Sequence, residues 1–271
     1  MMCKHSESIS DPEEEDVYLT TEESGVAEIL LARPQKRNAL TWGMWSALGV
    51  AIERAATDDR IRAVVIRGAG KAFCAGGDLI TPAGRGSGPL GPAARLELAQ
   101  KVIIQLYRLR KPTVAAVEGY AVGVGWSLAL ACDLIVASDN AYFWAPFVER
   151  SLVPDGGLAW FLVQRLGHHR AASSVLLGER IDAAVAATQG LVTYLVAPGK
   201  ASQVAREVAF RLVGRDAHAL ELSKGLLTAA GGVSLGDFLE LELYAATIAL
   251  NAPGASETRR EFSISNSEEH G

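Results

Sequence analysis

The sequence has few cysteines, and it contains no long apolar run. Its three cysteines, Cys3, Cys74 and Cys132, are too few and too scattered for a disulfide framework or a zinc site. No stretch reaches the roughly 18 to 20 apolar residues of a membrane span, and no apolar segment of the signal-peptide type follows the first residues. We therefore expect a cytoplasmic protein in a reducing compartment, without a membrane as partner.

Positive charge is also scarce. The formal net charge is −5 at pH 7, and lysine and arginine form no dense run. Nucleic acids bind to basic patches, so we expect no nucleic-acid partner. Hydrophobic residues make up 49% of the chain and charged residues 21%, which is typical of a globular protein with a sizeable core.

Strand and helix patterns alternate through the first half of the chain. Residues 1–16 are polar and acidic, which predicts a disordered tail. Strand patterns at 26–34 and 61–70 flank a helical pattern at 41–58, and the same alternation returns between residues 112 and 143. This alternation predicts an α/β protein.

From Gly156 to residue 250 the pattern is mainly helical, with one short strand pattern near 191–197. Several of these helical segments carry apolar residues on more than one side. Such helices need burial beyond the chain's own sheet. Oligomerisation is the simplest source of that surface.

Two glycine-rich segments each follow a buried strand pattern and lead toward a helix. They read AFCAGGDL at 72–79 and YAVGVGWSLAL at 120–130. Glycine lets the backbone approach a ligand and leaves N–H groups pointing outward, so the two segments could form an oxyanion hole. Tight packing of strand on helix explains the glycines equally well. Neither segment is a Walker loop, and the second lacks the full dinucleotide-binding pattern, which disfavours nucleotide chemistry.

Four blocks of the sequence together resemble a known family. They are RPQKRNAL (33–40), AFCAGGDL (72–79), KPTVAAVEGYAVGVGWSLALACDLIVAS (111–138) and SLVPDGG (151–157). In this order and spacing they resemble the crotonase superfamily, the enoyl-CoA hydratase/isomerase family. The resemblance implies an α/β fold made of a crotonase-like spiral of ββα units with a helical C-terminal region. It also implies assembly into a homotrimer or a dimer of trimers.

The resemblance divides the chain into three parts. Residues 1–16 form the acidic tail, residues 17–198 the spiral core, and residues 199–271 a helical trimerisation region that ends in a polar tail. The implied substrate is an acyl-CoA thioester. Coenzyme A is part of that substrate, and no permanently bound cofactor or metal is expected.

The resemblance also assigns binding positions. The thioester oxygen would lie between the backbone N–H groups of Ala75 and Val124. The family's coenzyme A contacts match Arg37 near the phosphates and Ala39, Gly76, Asp78 and Leu79 around the adenine. A helix cap explains Asp78 equally well.

The reaction depends on the side chains above the thioester. A hydratase of this family uses two glutamates, and the alignment of the blocks puts Ser127 and Phe147 in their positions, which argues against efficient hydration. In several isomerase branches an acidic residue occupies the position of Asp155 and moves a proton between carbons. Pro-Asp-Gly-Gly is also an ordinary turn sequence.

We therefore expect an enoyl-CoA isomerase in which Asp155 is the base. The aromatic residues that precede it are expected to wall its pocket; they are Tyr142, Phe143, Trp144 and Phe147. Two alternatives stay open. One is a hydratase-type lyase with an unrecognised water-activating group, and the other is an acyl-CoA-binding protein with reduced catalysis.

Overall fold

The computed structural model describes residues 16–78 and 91–257, without the side chains of residues 91 and 92. Three expectations lie outside the described residues. They concern the acidic tail before residue 16, the position of Leu79, and the polar segment after residue 257.

The strands of the described residues form two sheets. They are β1 (Val17–Thr21), β2 (Val26–Leu31), β3 (Ala63–Gly68), β4 (Thr113–Val117), β5 (Tyr120–Val122), β6 (Leu134–Ser138), β7 (Tyr142–Trp144), β8 (Ile181–Asp182) and β9 (Tyr194–Val196). The larger sheet has the order β1-β2-β3-β4-β6-β9, and the smaller sheet has the order β5-β7-β8. In the larger sheet β1 is antiparallel to β2, whereas all other neighbours are parallel.

The helices occupy the segments between and after these strands. They are α1 (Trp42–Thr57), α2 (Gly91–Tyr107), α3 (Val124–Leu130), α4 (Leu158–Leu166), α5 (His168–Leu176), α6 (Ala183–Thr188), α7 (Ala201–Val213), α8 (Ala217–Ala229) and α9 (Leu235–Leu250). The Thr41 side chain caps α1 by accepting a hydrogen bond from the Met44 N–H at 3.1 Å. The alternation of strands and helices confirms the α/β class.

The segment 134–143 differs from its expected single strand. Asp139 and Asn140 form a turn, so β6 joins the larger sheet and β7 joins the smaller one. The glycine-rich segment after β4 also contains a strand, β5, that pairs in parallel with β7. In the chain, β5 of this second sheet lies between β4 of the larger sheet and α3.

The parallel strands of the larger sheet are buried on both faces, as parallel sheets usually are. Val64 and Ile66 of β3 face one apolar cluster, which includes residues of α1, α2 and α3. Ala63 and Val65 of the same strand face a second cluster, to which α7 contributes; its members from α7 are Ala201, Ala205, Val208 and Ala209. Because α7 packs on the sheet, the first compact unit extends to Gly214. The division at residue 198 into a core and a trimerisation region stays a prediction.

The second compact unit begins at Arg215 and contains α8 and α9. Large apolar side chains on both helices are exposed, including Leu227 at 79% and Leu243 at 66%. This exposure agrees with the apolar residues that the sequence places on more than one side. None of the helices in the described ranges is both long and apolar enough to cross a membrane.

Candidate active site

The two glycine-rich segments lie against each other at one edge of the sheets. Cys74 forms a parallel bridge with Ala121, which joins the segment after β3 to β5. A Cβ on Gly76 would lie 2.8 Å from the Val122 carbonyl oxygen, and one on Gly125 would lie 2.8 Å from the Cys74 sulfur. These two glycines are therefore required for close packing.

Gly77 is different, because a Cβ there would meet no atom within 4 Å. The Leu40 N–H donates to the Gly76 carbonyl at 2.8 Å, and the Asp78 N–H donates to the Leu40 carbonyl at 2.9 Å. The Gly77 N–H between them has no acceptor among the described residues. Gly77 also lines a cleft, so this N–H is available to a ligand.

The expected donor Ala75 needs a correction. Its N–H donates to the Arg37 carbonyl oxygen at 3.0 Å, so this donor is already engaged. Val124, at the first position of α3, keeps its expected place on the cleft. Its N–H precedes the first hydrogen bond of the helix and has no acceptor within the described ranges. Gly77 and Val124 thus each bring to the cleft an N–H that has no acceptor among the described residues.

The cleft has an apolar lining with three charged side chains. It encloses about 610 Å³ together with its open mouth. Its larger apolar side chains are Trp45, Leu96, Val122, Val124, Phe147 and Leu152. Its charged side chains are Arg95, Arg150 and Asp155. Asp155 therefore shares one cleft with both glycine-rich segments, although it lies far from them in the chain.

A turn places Asp155 at this position. Gly156 and Gly157 have φ angles of 58° and 77°, and α4 begins directly after them. The Leu158 N–H and the Ser127 hydroxyl each donate to the Asp155 carbonyl oxygen at 3.1 Å. The two explanations of Pro-Asp-Gly-Gly are therefore compatible, because the turn presents the carboxylate to the cleft.

The Asp155 carboxylate is mostly withdrawn from water. Its Oδ1 is buried and has no hydrogen-bond partner among the described residues. Burial raises the pKa of Asp155 from 3.8 to about 6, while the Arg95 charge and a backbone hydrogen bond act in the opposite direction. A carboxylate with such a pKa exchanges protons readily near neutral pH.

The expected aromatic wall is confirmed only for Phe147. Phe143 is buried in the core against Trp126, with ring centroids 5.6 Å apart. Tyr142 stacks on another tyrosine, and the Trp144 indole N–H donates to a backbone carbonyl at 2.7 Å outside the cleft. Side chains alternate along β7, so neighbouring residues face opposite sides of the strand and do not form one wall.

The two positions that match the hydratase glutamates hold no acid. Ser127 is buried, and its hydroxyl donates a hydrogen bond to the Asp155 carbonyl oxygen. Phe147 is an apolar part of the cleft wall. Glu149 is exposed and does not line the cleft. Asp155 is the single carboxylate among the described side chains that line it.

Cys74 belongs to the first glycine-rich segment, at 72–79, but is not available as a nucleophile. Its thiol is buried, and burial raises its pKa to about 12. The Gly76 N–H donates to its sulfur at 3.4 Å. Its sulfur packs closely against Gly125, which indicates a packing role.

The positions matched to coenzyme A contacts lie next to the cleft. Arg37 is exposed and has a left-handed backbone with φ of 56°, while Ala39 is half-buried. The buried Asn38 between them holds this turn: its Nδ2 donates to the Ala69 and Ala72 carbonyls at 2.9 and 2.8 Å. Gly76 lines the cleft as well. Ligand contacts of these residues remain predictions.

Asp78 forms an ion pair that the sequence did not predict, and its contact with coenzyme A stays a prediction. Its carboxylate is nearly buried and forms an ion pair with the Arg33 guanidinium at 2.7 Å. None of the described helices begins at Asp78, so it caps none of them. The ion pair instead anchors the segment after β3 to the segment after β2.

Sequence reasoning missed Arg95, Trp45 and Gly77. Arg95 and Trp45 come from α2 and α1, which reach the cleft only through the packing of the helices. The Arg95 Nη1 donates to the Asp78 carbonyl at 2.9 Å. Of these three residues, Gly77 alone was indicated by the sequence, because it belongs to a glycine-rich segment whose backbone a ligand could approach.

Comparisons with known proteins agree with this geometry. The family described as enoyl-CoA hydratase/isomerase matches residues 21–244. The chain is 32% identical to the 1,2-epoxyphenylacetyl-CoA isomerase of Escherichia coli, over 84% of this chain and 87% of that protein. A crystal structure of an enoyl-CoA hydratase from Polaromonas sp. JS666 superposes with a TM-score of 0.87 at 34% identity, over 92% of this chain and 97% of that chain. The enoyl-CoA hydratase of Bacillus anthracis gives the same TM-score at 25% identity, over 92% and 96% of the two chains.

Proposed function

The chain belongs to the enoyl-CoA hydratase/isomerase family and has its crotonase fold, and from this we propose that it is an enoyl-CoA isomerase with Asp155 as its single base. The observation that carries the proposal is the carboxylate itself. It is largely buried, and it lies in the same cleft as the Gly77 and Val124 N–H groups. Among the residues that the structure describes, its Oδ1 has no hydrogen-bond partner and these two N–H groups have no acceptor. Acyl-CoA thioesters are the substrates of the family.

The proposed reaction moves one proton along the acyl chain. The ionised Asp155 removes a proton from the carbon between the thioester and the double bond of a 3-enoyl-CoA. The electron pair delocalises into a dienolate, whose oxygen accepts hydrogen bonds from the Gly77 and Val124 N–H groups. The protonated Asp155 then returns the proton to the γ-carbon, which yields the conjugated 2-enoyl-CoA. No water enters the reaction, so one acid–base group suffices.

We place the first donor at Gly77 and not at Ala75, because the Ala75 N–H is engaged by the Arg37 carbonyl. Each such donor typically contributes a few kcal/mol to transition-state stabilisation. The coenzyme A portion would lie along Arg37, Ala39 and Gly76; Gly76 lines the cleft, and the Arg37 carbonyl accepts from the N–H of the cleft residue Ala75.

The direct test compares wild type with Asp155→Asn on 3-hexenoyl-CoA, following the absorbance of the conjugated thioester. Loss of the base should lower kcat by about 10² to 10⁴. Glu149→Gln is the matched control, because this exposed acid lies outside the cleft and its loss should leave kcat unchanged. An Asp155→Asn variant that isomerises as fast as wild type would refute the proposal.

A hydratase is the second candidate, favoured by the relatives that are named enoyl-CoA hydratases. Hydration needs a group that activates water, and the cleft offers Asp155 as its single carboxylate among the described residues. Crotonyl-CoA distinguishes the two functions, since the isomerase should hydrate it negligibly. Hydration at rates equal to isomerisation would favour the hydratase, and tight acyl-CoA binding without turnover would indicate a binding protein.

We also propose that the chain assembles into a trimer or a dimer of trimers. Support comes from the exposed apolar side chains of α8 and α9, such as Leu235 at 73% and Tyr244 at 66% exposure. Patches of this kind ordinarily mark an interface. Light scattering coupled to size-exclusion chromatography should give a mass three or six times that of one chain, and a monomer at micromolar concentration would contradict it.

A further inference from the structure

Arg95 is a cation of the cleft that forms no ion pair in the described part of the chain, although its charge acts on the nearby Asp155 carboxylate. It is half-buried on α2, and its Nη1 donates to the Asp78 carbonyl at 2.9 Å. The nearby carboxylate of Asp78 is taken by Arg33 at 2.7 Å, and Asp155 forms no ion pair. The other guanidinium donors of Arg95 therefore have no protein acceptor within the described residues.

Arg150 brings a second cation to the same cleft. It ends the short 3-10 turn Val148–Arg150 and is exposed. Its guanidinium lies 5.9 Å from the Trp144 ring centroid, and no acidic side chain of the described residues pairs with it. It can therefore approach a ligand at the mouth of the cleft.

The charges of the cleft do not balance. An arginine stays protonated at any physiological pH, whereas Asp155 carries at most one negative charge. The lining thus holds two positive charges against one negative charge before substrate binds. The thioester oxygen already has two backbone donors, so it does not explain the arginines.

A half-buried arginine beside an apolar lining is less well solvated than a fully exposed one, so a ligand acceptor is favoured there. A carboxylate satisfies a guanidinium best, because two parallel hydrogen bonds form between the two planar groups. A neutral alkyl chain offers no acceptor and leaves the positive charge unbalanced.

We propose that the acyl pocket accepts acyl groups that carry a second carboxylate, and that Arg95 binds this carboxylate. The substrates would be mono-CoA thioesters of unsaturated dicarboxylic acids. The proposal rests on the proposed function, since it assumes that an acyl-CoA occupies this cleft. Arg95 would orient the acyl chain across Asp155, and Arg150 would add a weaker attraction at the mouth.

A binding experiment tests the proposal without any catalysis. Isothermal titration compares adipoyl-CoA with hexanoyl-CoA, which have the same chain length and differ in a terminal carboxylate against a methyl group. Wild type should bind adipoyl-CoA at least tenfold more tightly, as expected for a charge-assisted pair. Equal affinities would overturn the proposal whether or not the protein is an isomerase.

Variants assign the effect to Arg95. Arg95→Met should lower the affinity for adipoyl-CoA at least tenfold and that for hexanoyl-CoA less than threefold, and Arg95→Lys should retain part of the preference. Arg108→Met is the matched control, because Arg108 is an exposed arginine directly after the same helix and outside the cleft, so its loss should not change either affinity. An equal loss for both ligands in Arg95→Met would assign Arg95 to coenzyme A or to the fold, and would refute the proposal.

Kinetics separate this inference from the isomerase proposal. Wild type should isomerise the mono-CoA thioester of 3-hexenedioic acid with a kcat/KM at least tenfold above that for 3-hexenoyl-CoA. Turnover of both at equal efficiency would overturn the carboxylate preference and leave the isomerase intact. Absence of isomerisation with both, combined with tighter binding of adipoyl-CoA, would overturn the isomerase and retain the binding site. The comparison of the two ligands with the wild-type protein tests the carboxylate preference even if Arg95→Met does not fold.

Discussion

The substitution Asp155→Asn should stabilise the free protein at alkaline pH while it removes the base. Asparagine has nearly the same shape as aspartate but carries no charge. In the folded protein the carboxylate is largely buried, and its Oδ1 lacks a hydrogen-bond partner among the described residues. Ionisation of this group therefore opposes folding.

The size and sign of the effect follow from the pKa. Burial raises it from 3.8 to about 6, so the folded state favours the protonated form. The contribution of Asp155 to stability is thus fully present below pH 3.8 and is lost as the pH rises through about 6. The loss amounts to roughly 3 kcal/mol at pH 8 and about 1 kcal/mol at pH 4.5.

The assay is urea unfolding of wild type and Asp155→Asn at pH 4.5 and pH 8, at one protein concentration because assembly adds to stability. The gain in unfolding free energy from the substitution should be about 2 kcal/mol larger at pH 8 than at pH 4.5. The asparagine amide is also partly buried, which offsets both values equally and leaves their difference unchanged. A substitution effect that is the same at both pH values would refute the reasoning, because it would mean that the carboxylate is solvated.

Three further substitutions test how the site is held. Ser127→Ala removes the hydroxyl that donates to the Asp155 carbonyl at 3.1 Å, so kcat should fall about fivefold with KM unchanged; a stability loss with unchanged kcat would contradict this. Asn38→Ala removes the hydrogen bonds that the Asn38 side chain donates to two carbonyls at 2.9 and 2.8 Å. The unfolding free energy measured by urea denaturation should fall by about 2 to 5 kcal/mol, and a fall of less than about 1 kcal/mol would contradict a structural role for this side chain. Gly156→Ala puts a Cβ 2.7 Å from a valine methyl of α3 at a φ of 58°, and should cost about 1 to 3 kcal/mol and lower kcat, whereas Gly225→Ala, with no atom within 4 Å, should cost nothing.

Much of the fold could be predicted from local sequence. The Thr41 cap and the apolar spacing after it predict a helix at 41–58, and α1 spans Trp42–Thr57. The strand pattern at 61–70 corresponds to β3, and its continuous apolar character matches burial on both faces. These features depend on residues close together in the chain.

The split of segment 134–143 could not be predicted in the same way. Its residues have strand propensity throughout, and the pairing of β6 with β4 and of β7 with β5 decides that the two halves join different sheets. Strand partners lie far apart in sequence, so propensity alone does not reveal them.

The sequence by itself determined the family motifs, the helices and strands that depend on local pattern, such as α1 and β3, and the choice of Asp155 as the candidate base. The tertiary structure decided the availability of each group in the cleft. The Ala75 N–H is engaged because the Arg37 carbonyl lies 3.0 Å away, so we proposed the Gly77 N–H as the donor in its place. Arg95 reaches the same cleft as Asp155 through the packing of α2. Hydrogen bonding, burial and charge balance depend on contacts between segments that are distant in sequence, and local sequence patterns do not predict those contacts.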